Sequence, residues 1–164
     1  MNLRLVGGVL GRMAFMLALE LRRSALMARA RLDALRHPTD TVDYELVEYE
    51  EHLERRYATA AAAVCRAGAV TIAELAVTGT PAVLVPLPGA PHDHQTRNAE
   101  TLADAGAAVL LPDSDAHTER LAAELDDLFG DPARLEAMSH AARTLGRPDA
   151  ADRVATLVEE TARA

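Results

Sequence analysis

Short apolar runs alternate along this chain with longer stretches in which apolar positions recur every three or four residues. That alternation predicts successive β–α units and a parallel sheet. Leu3–Val6 is the first strand candidate, and Gly7-Gly8-Val9-Leu10-Gly11 reads as the turn after it. A helix is predicted from Arg12 to about Leu35, broken by His37-Pro38-Thr39-Asp40. Tyr44–Val47 is a further strand, and Glu48–Ala61 reads as helical, with Leu53 and Tyr57 four apart on one face. Ala62–Cys65 is a short buried strand, Arg66-Ala67-Gly68-Ala69 a turn, and Thr71–Thr78 a helix closed by Gly79. Ala82–Val85 is the clearest strand of all. Pro86, Pro88 and Pro91 then impose an extended loop before a helix at Asp93–Ala105, with Gly106 as its stop. Ala107–Leu111 is the last strand. The remainder is helical: Thr118–Phe129 up to Gly130, a second helix from Asp131-Pro132 to Gly146, and a third from Pro148 to about Thr161.

The pattern as a whole predicts an α/β fold, a Rossmann-like parallel sheet with helices on both faces, formed as one domain over residues 1–164. With 49% hydrophobic but only 3% aromatic residues, its core has to be built from Ala, Val, Leu and Ile.

Charge narrows the partners. The net charge is −8, all 17 basic residues are Arg, and they form no block, which argues against nucleic acid as a ligand. The single cysteine, Cys65, excludes an internal disulfide and a multi-cysteine zinc site. Met13–Leu21 is apolar, but Glu20 interrupts it and Arg12, Arg22 and Arg23 flank it, so it is too short and too charged for a membrane span or a signal peptide. It reads as a buried or interfacial helix.

Three segments carry candidate chemistry. In Val64–Leu75 a strand runs through a Gly68 turn into a helix, and backbone N–H groups at such a helix start suit a diphosphate. Gly68 permits close approach of backbone to a ligand, and Glu74, one turn in, suits two ribose hydroxyls. The same Thr71-x-x-Glu74 spacing also fits a capping box, with Glu74 folded back on the Thr71 N–H. The second segment, Pro86–Asn98, follows the C-terminal end of a strand, where open α/β sheets bind ligands. Its His94, Gln95 and Asn98 suit sugar hydroxyls, although on pattern alone an ordinary loop with Asp93 as N-cap fits better. His92-x-His94 has no third ligand nearby, so no metal is expected. The third segment is Gly7–Gly11, a glycine-rich turn of low specificity. His37, His52, His117 and His140 are scattered, and no Ser-His-Asp group or paired carboxylates stand out.

Tyr57–Pro112, above all the patterns RAGAxTxxEL at Arg66–Leu75 and PLPxAxxDHQxxNA at Pro86–Ala99, resembles the C-terminal domain of the MurG family, and Thr118–Val158 continues the likeness. These are GT-B glycosyltransferases of family 28 that transfer N-acetylglucosamine from UDP to undecaprenyl-diphosphate-MurNAc-pentapeptide in cell-wall synthesis. The resemblance implies that Glu74 binds the ribose of UDP and that Gly68, Ala69, Val70 and Thr71 present a helix N-terminus to the diphosphate. Gly8 would lie in a further phosphate loop, His94, Gln95 and Asn98 would line the sugar pocket, and backbone near Glu50 would meet uracil. It implies inversion without metal or cofactor and a cytoplasmic place at the inner face of the plasma membrane, reached only through a partner. It assigns no catalytic residue here.

The family's phosphate loop reads GGS-x-G-A, whereas this chain has Val9 at the serine position and Arg12 at a small one. Ala61 stands where the family has Asp, and Glu50 where it has an apolar residue. The short Leu35–Tyr44 segment implies a sheet lacking one strand–helix unit. Family members carry an N-terminal acceptor domain, so an acceptor subunit or self-association is expected. The alternative is a non-catalytic nucleotide-sugar-binding module or a truncated, inactive copy.

Overall fold

Hydrogen bonding between six strands organises the protein in the order β3-β1-β2-β4-β5-β6. The computed structural model describes β1 (Asn2–Gly7), β2 (Met13–Ala18) and β3 (Val42–Val47) as strand backbone, and residues 50–163 in full. The other strands are β4 (Ala62–Cys65), β5 (Ala82–Leu84) and β6 (Ala108–Leu110). β2, β4, β5 and β6 are parallel, as the β–α pattern requires, while β1 is antiparallel to both β2 and β3.

Two expectations for the N-terminal segment are corrected. Met13–Ala18 is a strand and not the start of a helix, held between β1 on one edge and β4 on the other. Met, Ala and Leu have high helix propensity, but an interior strand also reads as an unbroken apolar run, and pairing along both edges decides the outcome. Gly7, read as part of a turn, is the last residue of β1 and pairs with Met13. Residues 8–12 and 19–41, including Gly8, Val9 and His37, lie outside the described residues.

Six helices complete the described fold: α1 (Leu53–Thr59), α2 (Ala69–Thr78), α3 (His94–Asp104), α4 (Thr118–Gly130), α5 (Pro132–Leu145) and α6 (Ala150–Ala162). α1 is shorter than the helical pattern over Glu48–Ala61 suggests. The period-2 geometry of the strands divides the core in two. Ala63, Cys65, Ala82, Leu84 and Ala108 face a layer formed by Tyr57 of α1, Leu75 of α2, Leu102 of α3 and Ala142 of α5. Val64 and Val83 face the opposite way, onto Leu128 of α4 and Met138 of α5. Helices therefore cover both faces, with α5 reaching into both clusters. All four residues of β4 are buried, as expected of a central parallel strand.

Glycine and aspartate set the helix ends as the sequence predicts. Gly79 takes a left-handed φ of 71° and closes α2, its N–H donating to Leu75 O at 2.9 Å, with Thr80 N–H donating to the same carbonyl at 3.0 Å. Asp131 caps α5 by accepting from Arg134 N–H at 3.0 Å, with Pro132 in the first turn. Among the described residues no helix is long and apolar enough to cross a membrane.

Candidate functional site

Parallel register places Cys65, Leu84 and Leu110 in one row, so the segments that follow β4, β5 and β6 emerge at the same end of the sheet. That is where open parallel sheets present their ligand sites. Side chains bind the three segments to one another. Arg66, next after β4, donates from Nη1 to Val85 O (3.2 Å) and Pro86 O (3.1 Å) beyond β5, and to Asp113 Oδ1 (2.5 Å) beyond β6. Gln95 Oε1 accepts from Ala67 N–H (3.2 Å) and Leu87 N–H (2.9 Å), and Asn98 Nδ2 donates to Ala67 O at 3.0 Å. Both polar groups of Ala67 are thus held, and this fixes the backbone entering Gly68.

Gly68 is the N-cap of α2. The first helical hydrogen bond runs from Ile72 N–H to Gly68 O at 3.0 Å, and no side chain caps the helix. The N–H groups of Ala69, Val70 and Thr71 therefore remain available at the positive end of the helix dipole, with Ala69 and Val70 exposed. The capping box that Thr71-x-x-Glu74 suggests is not formed. The helix starts at Ala69, so Thr71 sits inside the first turn and cannot act as its N-cap. Glu74 is half-buried and has no hydrogen-bond or ion-pair partner among the described residues. Its pKa is raised above the usual carboxylate value, chiefly by burial and further by the Glu54 carboxylate on α1.

Among the described residues nothing requires glycine at 68. Its φ is −63°, and an added Cβ would meet nothing nearer than Thr71 Oγ1 at 3.8 Å.

Beyond β5, His92 and Asp93 both adopt left-handed φ, at 55° and 53°, before α3 begins. Asp93 stands at the N-cap position but accepts from the Thr96 hydroxyl (2.7 Å) and from no backbone N–H of the helix. His94 is exposed, and its Nδ1 donates to Pro91 O at 2.8 Å. Gln95 and Asn98 spend one polar atom each on Ala67 and keep Nε2 and Oδ1 for other partners. Glu50 accepts from Arg56 Nε (2.6 Å) and His52 N–H (3.2 Å), and these bonds hold its pKa below the usual carboxylate value.

Two residues of this region escape a reading of the sequence. Arg66, the tie between three loops, is signalled only by its position between a strand and a glycine. Tyr57 reads as an α1 core residue. Its ring is 1% exposed, yet its hydroxyl is buried with no hydrogen-bond partner. Such a group typically costs about 1–3 kcal/mol. Burial pushes its ionisation far up, so the phenol stays protonated. Burial likewise pushes the Cys65 thiol up to about 12, which makes it an inert core group.

Residues 27–154 match the model of the glycosyltransferase family 28 C-terminal domain. The chain is 42% identical to the UDP-N-acetylglucosamine–N-acetylmuramyl-(pentapeptide) pyrophosphoryl-undecaprenol N-acetylglucosamine transferase of Alkalilimnicola ehrlichii, over 99% of this chain and 49% of the relative. The Methylococcus capsulatus protein of the same name is 43% identical over 96% of this chain and 48% of its own length. The chain thus spans about half the length of these relatives. Among solved structures, Acinetobacter baumannii MurG superposes with a TM-score of 0.63 at 36% identity, covering 71% of this chain and 35% of that one. The family model covers most of the chain, including every helix of the site, and this protein belongs to the glycosyltransferase family 28 C-terminal domain family.

Proposed function

We propose that this chain is the donor-binding half of a transferase that uses UDP-N-acetylglucosamine, the activity named for its relatives. The observation that carries this reading is the α2 start: three uncapped N–H groups and, among the described residues, a glycine that nothing requires and a carboxylate without a partner one turn away. Gly68, Ala69, Val70 and Thr71 receive the diphosphate, Glu74 accepts from the ribose hydroxyls, and His94, Gln95 Nε2 and Asn98 Oδ1 read the sugar. Gly8 belongs to this set on the resemblance alone. The negative charge that develops on departing UDP is stabilised by the α2 N-terminus, whose dipoles are fixed before the reaction begins.

An acceptor half completes the enzyme, in keeping with relatives about twice as long. α6 supports this. It carries Val154, Leu157 and Val158 along one stripe, each more than 60% exposed, and buries none of its residues. An apolar stripe of this kind marks a surface for another domain. Through that partner the protein works at the inner face of the plasma membrane.

Reconstitution tests the proposal. Mixed or fused with the N-terminal half of a relative, the chain transfers labelled N-acetylglucosamine to a lipid-linked acceptor, and alone it does not. Leu157→Asp leaves the melting temperature of the free chain unchanged and lowers the reconstituted rate. Transfer by the unaided chain, or its absence from every reconstituted pair that assembles, contradicts the account.

A further inference from the structure

The Tyr57 hydroxyl is the one buried side-chain polar atom without a partner among the described residues. Its surroundings tie it to the α2 start. Thr71 is the polar neighbour that favours its ionised form, against burial and the nearby Cys65 and Glu74, but the two hydroxyls do not meet hydrogen-bond geometry. The Thr71 hydroxyl in turn lies over Gly68, 3.8 Å from where a Cβ would stand. It therefore neighbours both the buried phenol and the N-cap of α2. A threonine hydroxyl has one proton to donate and two lone pairs to accept with, so it can serve both neighbours at once.

From this arrangement we infer that Tyr57 is a positioning residue of the donor site: when a diphosphate seats on the α2 N-terminus, Thr71 Oγ1 donates to a phosphate oxygen and accepts from the Tyr57 hydroxyl. The inference rests on the donor-site reading and adds a residue to it. The unbound chain holds the phenol unsatisfied, and the ligand supplies the geometry that satisfies it. Part of the binding energy is then relief of a cost already present in the free protein. In a residue that only filled the core, loss of the hydroxyl would leave UDP affinity alone.

Calorimetric titration with UDP and thermal melts of wild type, Tyr57→Phe, Thr71→Val and the double variant test this. The expected result is that Tyr57→Phe melts no lower than wild type but binds UDP about 3- to 10-fold more weakly, the worth of one hydrogen bond. The double variant should bind no more weakly than Thr71→Val alone, since both remove the same relay. Unchanged affinity in Tyr57→Phe, a lowered melting temperature in that variant, or losses that add in the double variant would each overturn the inference and leave the donor site standing. If wild type binds no UDP, the donor-site reading itself fails, and the inference with it.

Discussion

Glu74 is the residue whose role the structure changes most. Its spacing from Thr71 fits both a cap and a ligand, and only the observed start of α2 at Ala69 removes the cap. The carboxylate left behind is raised in pKa, which fixes the sign of its effect on stability. A folded state that holds the proton more tightly than the unfolded chain gains from it below about pH 4.5 and loses that gain as pH rises through the folded value. At neutral pH, Glu74→Gln and Glu74→Ala should therefore melt no lower than wild type, whereas a capping carboxylate would cost about 0.5–2 kcal/mol on replacement by Ala. UDP affinity should fall about tenfold or more in both, because charge-assisted bonds to ribose are each worth about 1.5–3 kcal/mol. As pH falls through the Glu74 titration, wild-type affinity should approach that of Glu74→Gln. Equal affinity of all three proteins at pH 7 would remove Glu74 from the site. Gln95 and Asn98 were legible as polar residues at a strand's C-terminal end. Their bonds to Ala67 were not, because contacts 28 and 31 residues apart leave no local pattern.

At the level of elements, punctuation by glycine, proline and aspartate made most of the fold legible. Gly79, Gly106 and Asp131 end or start helices where the sequence places them, and β4 carries the predicted bounds. Met13–Ala18 was not legible, since an apolar run of Met, Ala and Leu satisfies an interior strand and a buried helix alike, and pairing with β1 and β4 is non-local. The antiparallel β1–β2 pair was not legible for the same reason. Gly79 gives a test of how α2 is anchored at the end away from the site. Its φ is positive, and a Cβ would lie 2.5 Å from Arg143 Nε, on the side chain that holds Ser139 and Thr78 O. Gly79→Ala should cost more than about 1 kcal/mol and lower the melting temperature by about 2–4 °C for each kcal/mol. UDP affinity should stay within about twofold. An unchanged melt would show that α2 does not depend on this closure.

For the whole molecule, one end of a sheet gathers an uncapped helix start, a tethered set of loops and an unpaired carboxylate, while α6 on the outside offers an apolar stripe. The fold class was visible in the alternation of apolar runs and helical patterns, and the family in two motifs, Arg66–Leu75 and Pro86–Ala99, each of which keeps particular residues at fixed spacing around one strand–helix turn. The exposure of the α6 stripe was not visible, because a helix of this composition reads the same whether its stripe meets its own core or solvent. The central claim is that these 164 residues hold a nucleotide-sugar site by themselves. Calorimetric titration with UDP-N-acetylglucosamine, alongside GDP- and TDP-sugars, tests it most directly. The account predicts saturable one-to-one binding of the UDP-sugar, competed by UDP, with the other nucleotides binding much more weakly. Absence of any nucleotide binding by the folded chain, or equal binding of all three, would contradict it.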